Sequence, residues 1–247
     1  MRPVQRRAAA PSPRSAHRFS FRGPPKQVIV QLSPRLFASS LLLVAACGGQ
    51  HPNEAPTPTA PVRPLGALVA QQVIVAPTHS LSEVDPFGWT QQIPRSREYL
   101  RSVDDAIDAE LAARGLGKQW IYPPALLRAS KASPSYAVDP YALGAGPLRS
   151  SSVVGGTRLG DPLATQLRTM VAMQESARAV LLPVELHFER DRVLRDQGVA
   201  VLKVALIDGR LGEVRWIGDV RSDPSPTFSP ALVTSLANKF ADLITAR

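Results

Sequence analysis

Three β-rich runs near the C-terminus constrain the fold more than any other feature: "ARAVLLPVELHFE" (177–189), "GVAVLKVALID" (198–208) and "GEVRWIGDVRS" (212–222). Only the turn-forming "RDRVLRDQ" and "DGRLG" separate them. Strand formers joined by such short connections pair as neighbours, which predicts an antiparallel meander. The following "SPALVTSLANKFADLITA" opens with Ser229 as a cap and Pro230 at the first helical position. Its Leu232, Val233, Leu236, Phe240, Leu243 and Ile244 fall at helical spacing, so a packed closing helix is expected.

The upstream half alternates in kind. "LVAQQVIVAP", Leu68 to Pro77, carries β-branched residues and stops at a proline, as a first strand would. From Ser96 to Arg114, Leu100, Val103, Ile107 and Leu111 recur at helical spacing, with Gly115 just beyond as the stop. "KQWIYPP" predicts a short second strand that runs into a helix at Pro123 or Pro124. Residues 134–160 are rich in Gly, Pro and Ser and have no period, and a further helix is expected with Asp161 as cap and Pro162 as first residue. The order β-α-β-α-α-β-β-β-α gives an α/β fold, a single layered domain over residues 67–247 with a mixed sheet of about five strands.

The chain has 247 residues and a formal net charge of +9, but the charge is lopsided. Residues 1–46 hold Arg2, Arg6, Arg7, Arg14, Arg18, Arg22, Lys26 and Arg35 and no acid, leaving 21 basic and 20 acidic residues beyond them. The basic character therefore belongs to the leader, and nucleic acid is not an expected partner. Within the leader, "LFASSLLLVAA" is an apolar run of 11 residues, too short for a spanning helix of about 20, and reads as a signal-peptide core. The basic stretch ahead of it exceeds what export needs, so translation is expected to start downstream of Met1.

"LVAAC" resembles the bacterial lipobox, which implies that Cys47 becomes the lipidated first residue of the mature protein. The resemblance implies several acyl chains, enough for stable anchoring. Cys47 is the only cysteine, so the exported body has no thiol for a disulfide, a metal or a nucleophile. Residues 47–66 then form a Pro-rich linker able to hold the domain some tens of Å from the lipid. Gly48 stands where a sorting Asp would retain a lipoprotein at the inner membrane, so the resemblance implies the outer membrane, facing the periplasm.

"ARAVLLPVELHF", "VLKVALIDGRLGEVRW" and the final helix resemble the C-terminal half of the TolB N-terminal and CsgG-type curli-assembly lipoprotein superfamily. Asp208, Gly212, Glu213 and Trp216 match that superfamily's turn phrase, with Leu211 where Thr is frequent. The resemblance implies an envelope assembly role. The long alternating hairpins of a curli-type pore are missing from residues 134–160, so a secretion pore is not expected. The turn phrase also has a local explanation: Asp208 and Gly209 suit a tight turn, Gly212 takes positive φ, and Trp216 fills the core.

Glu185, His187 and Glu189 share one side of their strand, with Val184, Leu186 and Phe188 on the other. A metal could use such a face, and a metal-dependent or hydrolytic enzyme built on His187 is the alternative function. A lattice of opposite charges with Lys203 and with Arg215, Asp219 and Arg221 on adjacent strands accounts for the same face, and no further metal ligand is identified. No nucleophile elbow, phosphate loop or HExxH pattern occurs, so no catalytic or cofactor-binding residue is named and no cofactor is expected. His79 is a lone histidine in the loop after the first strand. In the same loop, "DPFGW" places Phe87 and Trp89 among polar residues, either as an anchor for a partner or folded back on the core. The expected function is thus a membrane-anchored envelope lipoprotein that binds a protein partner, with Phe87, Trp89, Glu185, His187, Lys203 and Arg215 as candidate contacts.

Overall fold

The computed structural model describes residues 63–174 and 176–245. The leader, Cys47 and the linker as far as Val62 lie outside the described residues. The chain enters the domain through Leu65, which is buried and donates its N–H to the Leu243 carbonyl near the C-terminus (3.1 Å). Packing thus begins two residues ahead of the expected boundary.

A four-stranded mixed sheet forms the middle layer, in the order β1 (Val73–Val75), β2 (Ala179–Arg190), β3 (Gly198–Asp208), β4 (Glu213–Arg221). β1 runs parallel to β2, and β2, β3 and β4 form the antiparallel meander that the turn spacing predicts. The first strand is shorter than expected because Gly66–Ala70 winds into a 3₁₀ turn. The fifth strand shrinks to one residue: Ile121 bridges Ile74, accepting from Val75 N–H (2.8 Å) and donating to Val73 O (2.9 Å). Pro123 follows two residues later and its missing N–H ends any further ladder there.

Helices cover both faces. α1 (Ser96–Ala113) and α4 (Pro230–Asp242) pack on one side, where Leu100, Val103, Ile107 and Leu111 meet Leu232, Leu236 and Phe240 over Leu181, Leu202 and Val204. At their C-terminal ends the buried Arg114 guanidinium joins Glu110 (2.9 Å) and Asp242 (2.8 Å) and donates to the Thr245 and Asn238 carbonyls. α2 (Pro123–Ala132) and α3 (Leu163–Ala172) cover the other side, over Val180, Leu182, Ala205 and Ile207. The aperiodic 134–160 segment contributes Leu143, Ala145 and Leu148 to that second core, so it lacks period but not packing.

Helix starts depart from expectation in detail. Ser229 occupies the cap position of α4 without a side-chain cap bond. The cap of α3 is Pro162, one residue after the expected Asp161, and the Asp161–Pro162 bond is cis. Asp161 still accepts from the Thr165 N–H (3.2 Å) and hydroxyl (2.6 Å), so it ties down the first turn from one position further out.

A bulge changes which residues share a face of β2. The β2–β3 register shifts between Pro183 and Glu185, so Val184 joins Leu182 in the α2/α3 core while Leu186 and Phe188 join the α1/α4 core. Strict alternation puts Val184 with Leu186 and Phe188; the extra residue breaks that grouping. Glu185, His187 and Glu189 consequently lie on the α2/α3 side, at the end of the sheet that those helices leave partly open.

Candidate functional site

The far half of the β2–β3 hairpin carries the charged lattice. Glu185 is register-paired with Lys203, and Lys203 with Asp219; His187 and Arg221 flank Val201 in the next row. His187 Nε2 lies 2.9 Å from Glu189 Oε1, and Arg221 donates to Glu189 Oε2 at 2.7 Å. Arg149, from the aperiodic segment, approaches Glu185 at 3.5 Å, and Lys203 Nζ donates to the Arg149 carbonyl at 2.9 Å. Burial pushes the Glu189 carboxyl up, but the bonds from His187 and Arg221 outweigh it and hold the group below the ordinary value. The three side chains considered as metal ligands are committed to Arg149, to Arg221 and to one another. Among the described residues, no group of three or more His, Cys, Asp or Glu is arranged to hold a metal. Two polar atoms in this network, His187 Nδ1 and Arg221 Nη2, are buried without a hydrogen-bond partner.

Arg215 does not belong to this face. A second register shift, between Leu206 and Ile207, displaces it from the alternation expected with Asp219 and Arg221. It reaches instead to Asp208 (3.3 Å) and Glu213 (2.9 Å) at the opposite end of the sheet. Asp208 also takes Arg178 Nε at 2.8 Å, and its other oxygen accepts the Arg210 and Leu211 N–H groups of the β3–β4 turn. Gly212 closes the turn with φ +62°, a conformation in which an L side chain is strained. The turn phrase therefore acts as the turn lock that its local chemistry predicts. Trp216 is half-buried across the backbone at Gly218, a partial departure from full core filling.

The "DPFGW" loop folds inward. Trp89 is 4% exposed, with Phe87 stacked on it at 4.9 Å and Phe188 and Phe228 packed at 5.5 and 6.0 Å. As a contact residue Trp89 is thus corrected: its ring is spent on the core, because burial of so large an apolar surface outweighs the polar character of its neighbours. Phe87 stays half-buried, with the Arg190 guanidinium 4.8 Å above its ring. The pair explains Gly198 on β3, where a Cβ would lie 2.4 Å from the Trp89 ring and 2.8 Å from that of Phe87. Asp85 fixes the loop by accepting the Phe87 and Thr90 N–H groups at 2.9 and 2.6 Å.

A cleft of about 400 Å³ opens beyond the C-terminal end of β1, between α1, the end of α2 and the turn at Pro140–Ala142. Arg97 and Arg101 reach it from α1 and Lys131 from α2, and Leu100, Leu127 and Ala142 form apolar wall. Its floor is pinned by Asp104, whose Oδ1 accepts the Thr78 N–H (2.8 Å) and hydroxyl (2.6 Å). Burial raises the Asp104 carboxyl to about 6 against the opposing Thr78 bonds. His79 lines the same cleft; burial, reinforced by Arg149 and opposed by Asp139, lowers it to about 4, so it is neutral at pH 7. Sequence reasoning leaves His79 as a lone loop histidine and passes over the cleft. The available signal was Arg97 and Arg101, four residues apart in the first two turns of a helix.

No family model matches the chain, and no curated protein matches it. Among solved structures, the PelC dodecamer from Paraburkholderia phytofirmans is 17% identical with a TM-score of 0.35, covering 72% of this chain and 89% of that one. Lipoprotein GNA1162 from Neisseria meningitidis is 14% identical with a TM-score of 0.32, over 70% and 96% of the two chains. LpoB from E. coli is 12% identical with a TM-score of 0.32, over 82% and 91%.

Proposed function

We propose that the protein is a lipid-anchored lipoprotein of the bacterial cell envelope, held through Cys47 in the outer membrane and facing the periplasm, that binds an envelope protein and performs no catalysis. The lipobox phrase supports the anchor, and the TolB- and CsgG-type resemblance supports an assembly role. The observation that carries the binding reading is the charged end of the sheet. Glu185, His187, Glu189, Lys203 and Arg221 are held in fixed register there, presenting both signs of charge in an ordered pattern. Phe87, Glu185, His187 and Lys203 remain the proposed contacts, whereas Trp89 and Arg215 serve the core and the turn.

The arrangement suits a tethered binder. The chain enters beside Leu243 near the start of β1, and Glu189 lies ten residues along β2 from the position paired with Val73, about 30 Å away at strand rise. The proposed contacts therefore lie at the end of the sheet remote from Leu65. Membrane fractionation with intact mass of the mature chain tests the reading. A lipid-modified N-terminus at Cys47, membrane association lost in Cys47→Ser, and a photo-crosslink from position 203 to one envelope protein are expected. An unmodified precursor in the cytoplasmic fraction would overturn it.

A further inference from the structure

We infer that the cleft beyond β1 is a binding site for a small organic oxyanion, a phosphate monoester or a carboxylate with a compact apolar body. The inference is independent of the anchor and of the charged sheet end. It begins with three cations that converge on one cleft. Arg97 and Arg101 stand four residues apart in the first two turns of α1, so they repel each other and face the positive end of the helix dipole. Glu98, beside Arg97 in the chain, is engaged by Arg95 at 3.0 Å, and Asp104, three residues beyond Arg101, is held by Thr78, its carboxyl raised by burial; Asp105 follows it on the helix. Lys131 adds a third positive charge from the last turn of α2. Neither Arg97 nor Lys131 forms an ion pair with another described residue. An oxyanion in the cleft would relieve all three.

The remaining walls define the rest of the ligand. Arg101 is held over the Tyr141 ring at 5.6 Å, which fixes its guanidinium beside an aromatic surface. The one carboxylate lining the cleft, Asp139, accepts the Tyr141 N–H at 2.9 Å and so shapes the turn. His79 supplies a buried Nε2 without a hydrogen-bond partner, on an imidazole that burial keeps neutral. Leu100, Leu127 and Ala142 offer apolar contact for the body of the molecule. A volume of about 400 Å³ is within the range of small-molecule sites. The position, beyond the carboxyl end of a parallel strand with helices on either side, is where open α/β sheets place their ligands.

Calorimetric titration of the full chain in detergent micelles at low salt, with phenyl phosphate and separately with benzoate, tests the inference. Saturable binding of one equivalent is expected with at least one probe; phosphate alone, carboxylate alone, or both would each specify the ligand class. Arg97→Gln combined with Arg101→Gln and Lys131→Gln is expected to weaken binding at least tenfold. Arg95→Gln, next to the cleft but outside it, should change binding less than twofold. Ala142→Phe, which fills the cleft without altering charge, should also weaken binding at least tenfold. No saturable heat with either probe would overturn the site, as would equal losses in Arg95→Gln and the triple variant, which would mean attraction by surface charge alone.

Discussion

Asp208 and Glu189 sit at opposite ends of the β2–β3 hairpin, and each is held by two basic side chains: Arg178 and Arg215 in one case, His187 and Arg221 in the other. Their surroundings differ. The Asp208 side chain is 7% exposed and also accepts two backbone N–H groups of a tight turn, while that of Glu189 is 40% exposed and touches side chains only. Both carboxyls are below their ordinary values, burial opposing and hydrogen bonds prevailing in each. The same pattern of charges therefore does two jobs. Where it secures backbone it is a folding device; where it secures only side chains it presents a patterned surface whose worth to stability is small.

The largest expected effect tests what stabilises the Glu189 end. If the aromatics beneath the charges carry that end, Trp89→Ala should cost about 3–5 kcal/mol in chemical denaturation, as for other buried aromatic truncations. A loss of under about 1 kcal/mol would mean that the ring contributes little and return Trp89 to the candidate contacts. Next, Asp208→Ala should cost about 2 kcal/mol by leaving the turn N–H groups and two arginines without their acceptor. Asp208→Asn keeps one acceptor oxygen for the turn, so it should recover about half of that cost.

Acid titration separates the ends further. A carboxylate depressed in the folded state contributes stability that is complete above its unfolded value and lost as pH falls through its folded value. The acid limb of wild-type stability should therefore flatten more in Asp208→Asn than in Glu189→Gln; equal flattening would erase the distinction between the ends. Asp104, raised to about 6, has the reverse sign: its contribution is complete below about pH 4 and lost as pH rises through 6. His79, lowered to about 4, opposes it, contributing stability above pH 6.5 that is lost as pH falls through 4. In His79→Gln, stability should consequently decline between pH 4 and 6 with a slope of up to about 1.4 kcal/mol per pH unit, the limit for one proton. The smallest effect is expected at the surface, where Glu189→Gln should cost less than about 1 kcal/mol, measurable in the same denaturation series.

Much of the fold was legible because its signals are local. The meander follows from strand runs of nine to twelve residues joined by short turns, and α1 from a four-point apolar stripe ending before Gly115. Leu163, Leu167, Met170 and Val171 of α3 are all buried as their spacing predicts. The candidate sites were less legible because they depend on register. Alternation alone groups Val184 with Leu186 and places Arg215 with Asp219, and in both cases one bulge residue reverses the assignment. Arg149 could not be matched with Glu185 from sequence, being brought from an aperiodic segment more than thirty positions away.

The sequence by itself determined the antiparallel meander, the four helices, the turn at Asp208 and the concentration of net positive charge in the leader, because these rest on neighbours within a few residues. Only the tertiary structure decided that Trp89 belongs to the core, that Glu189 is clamped by His187 and Arg221, and that Arg97, Arg101 and Lys131 converge on one cleft. Those outcomes depend on which faces meet across the sheet. Burial and charge pairing between distant segments are settled by packing, and no local pattern records them.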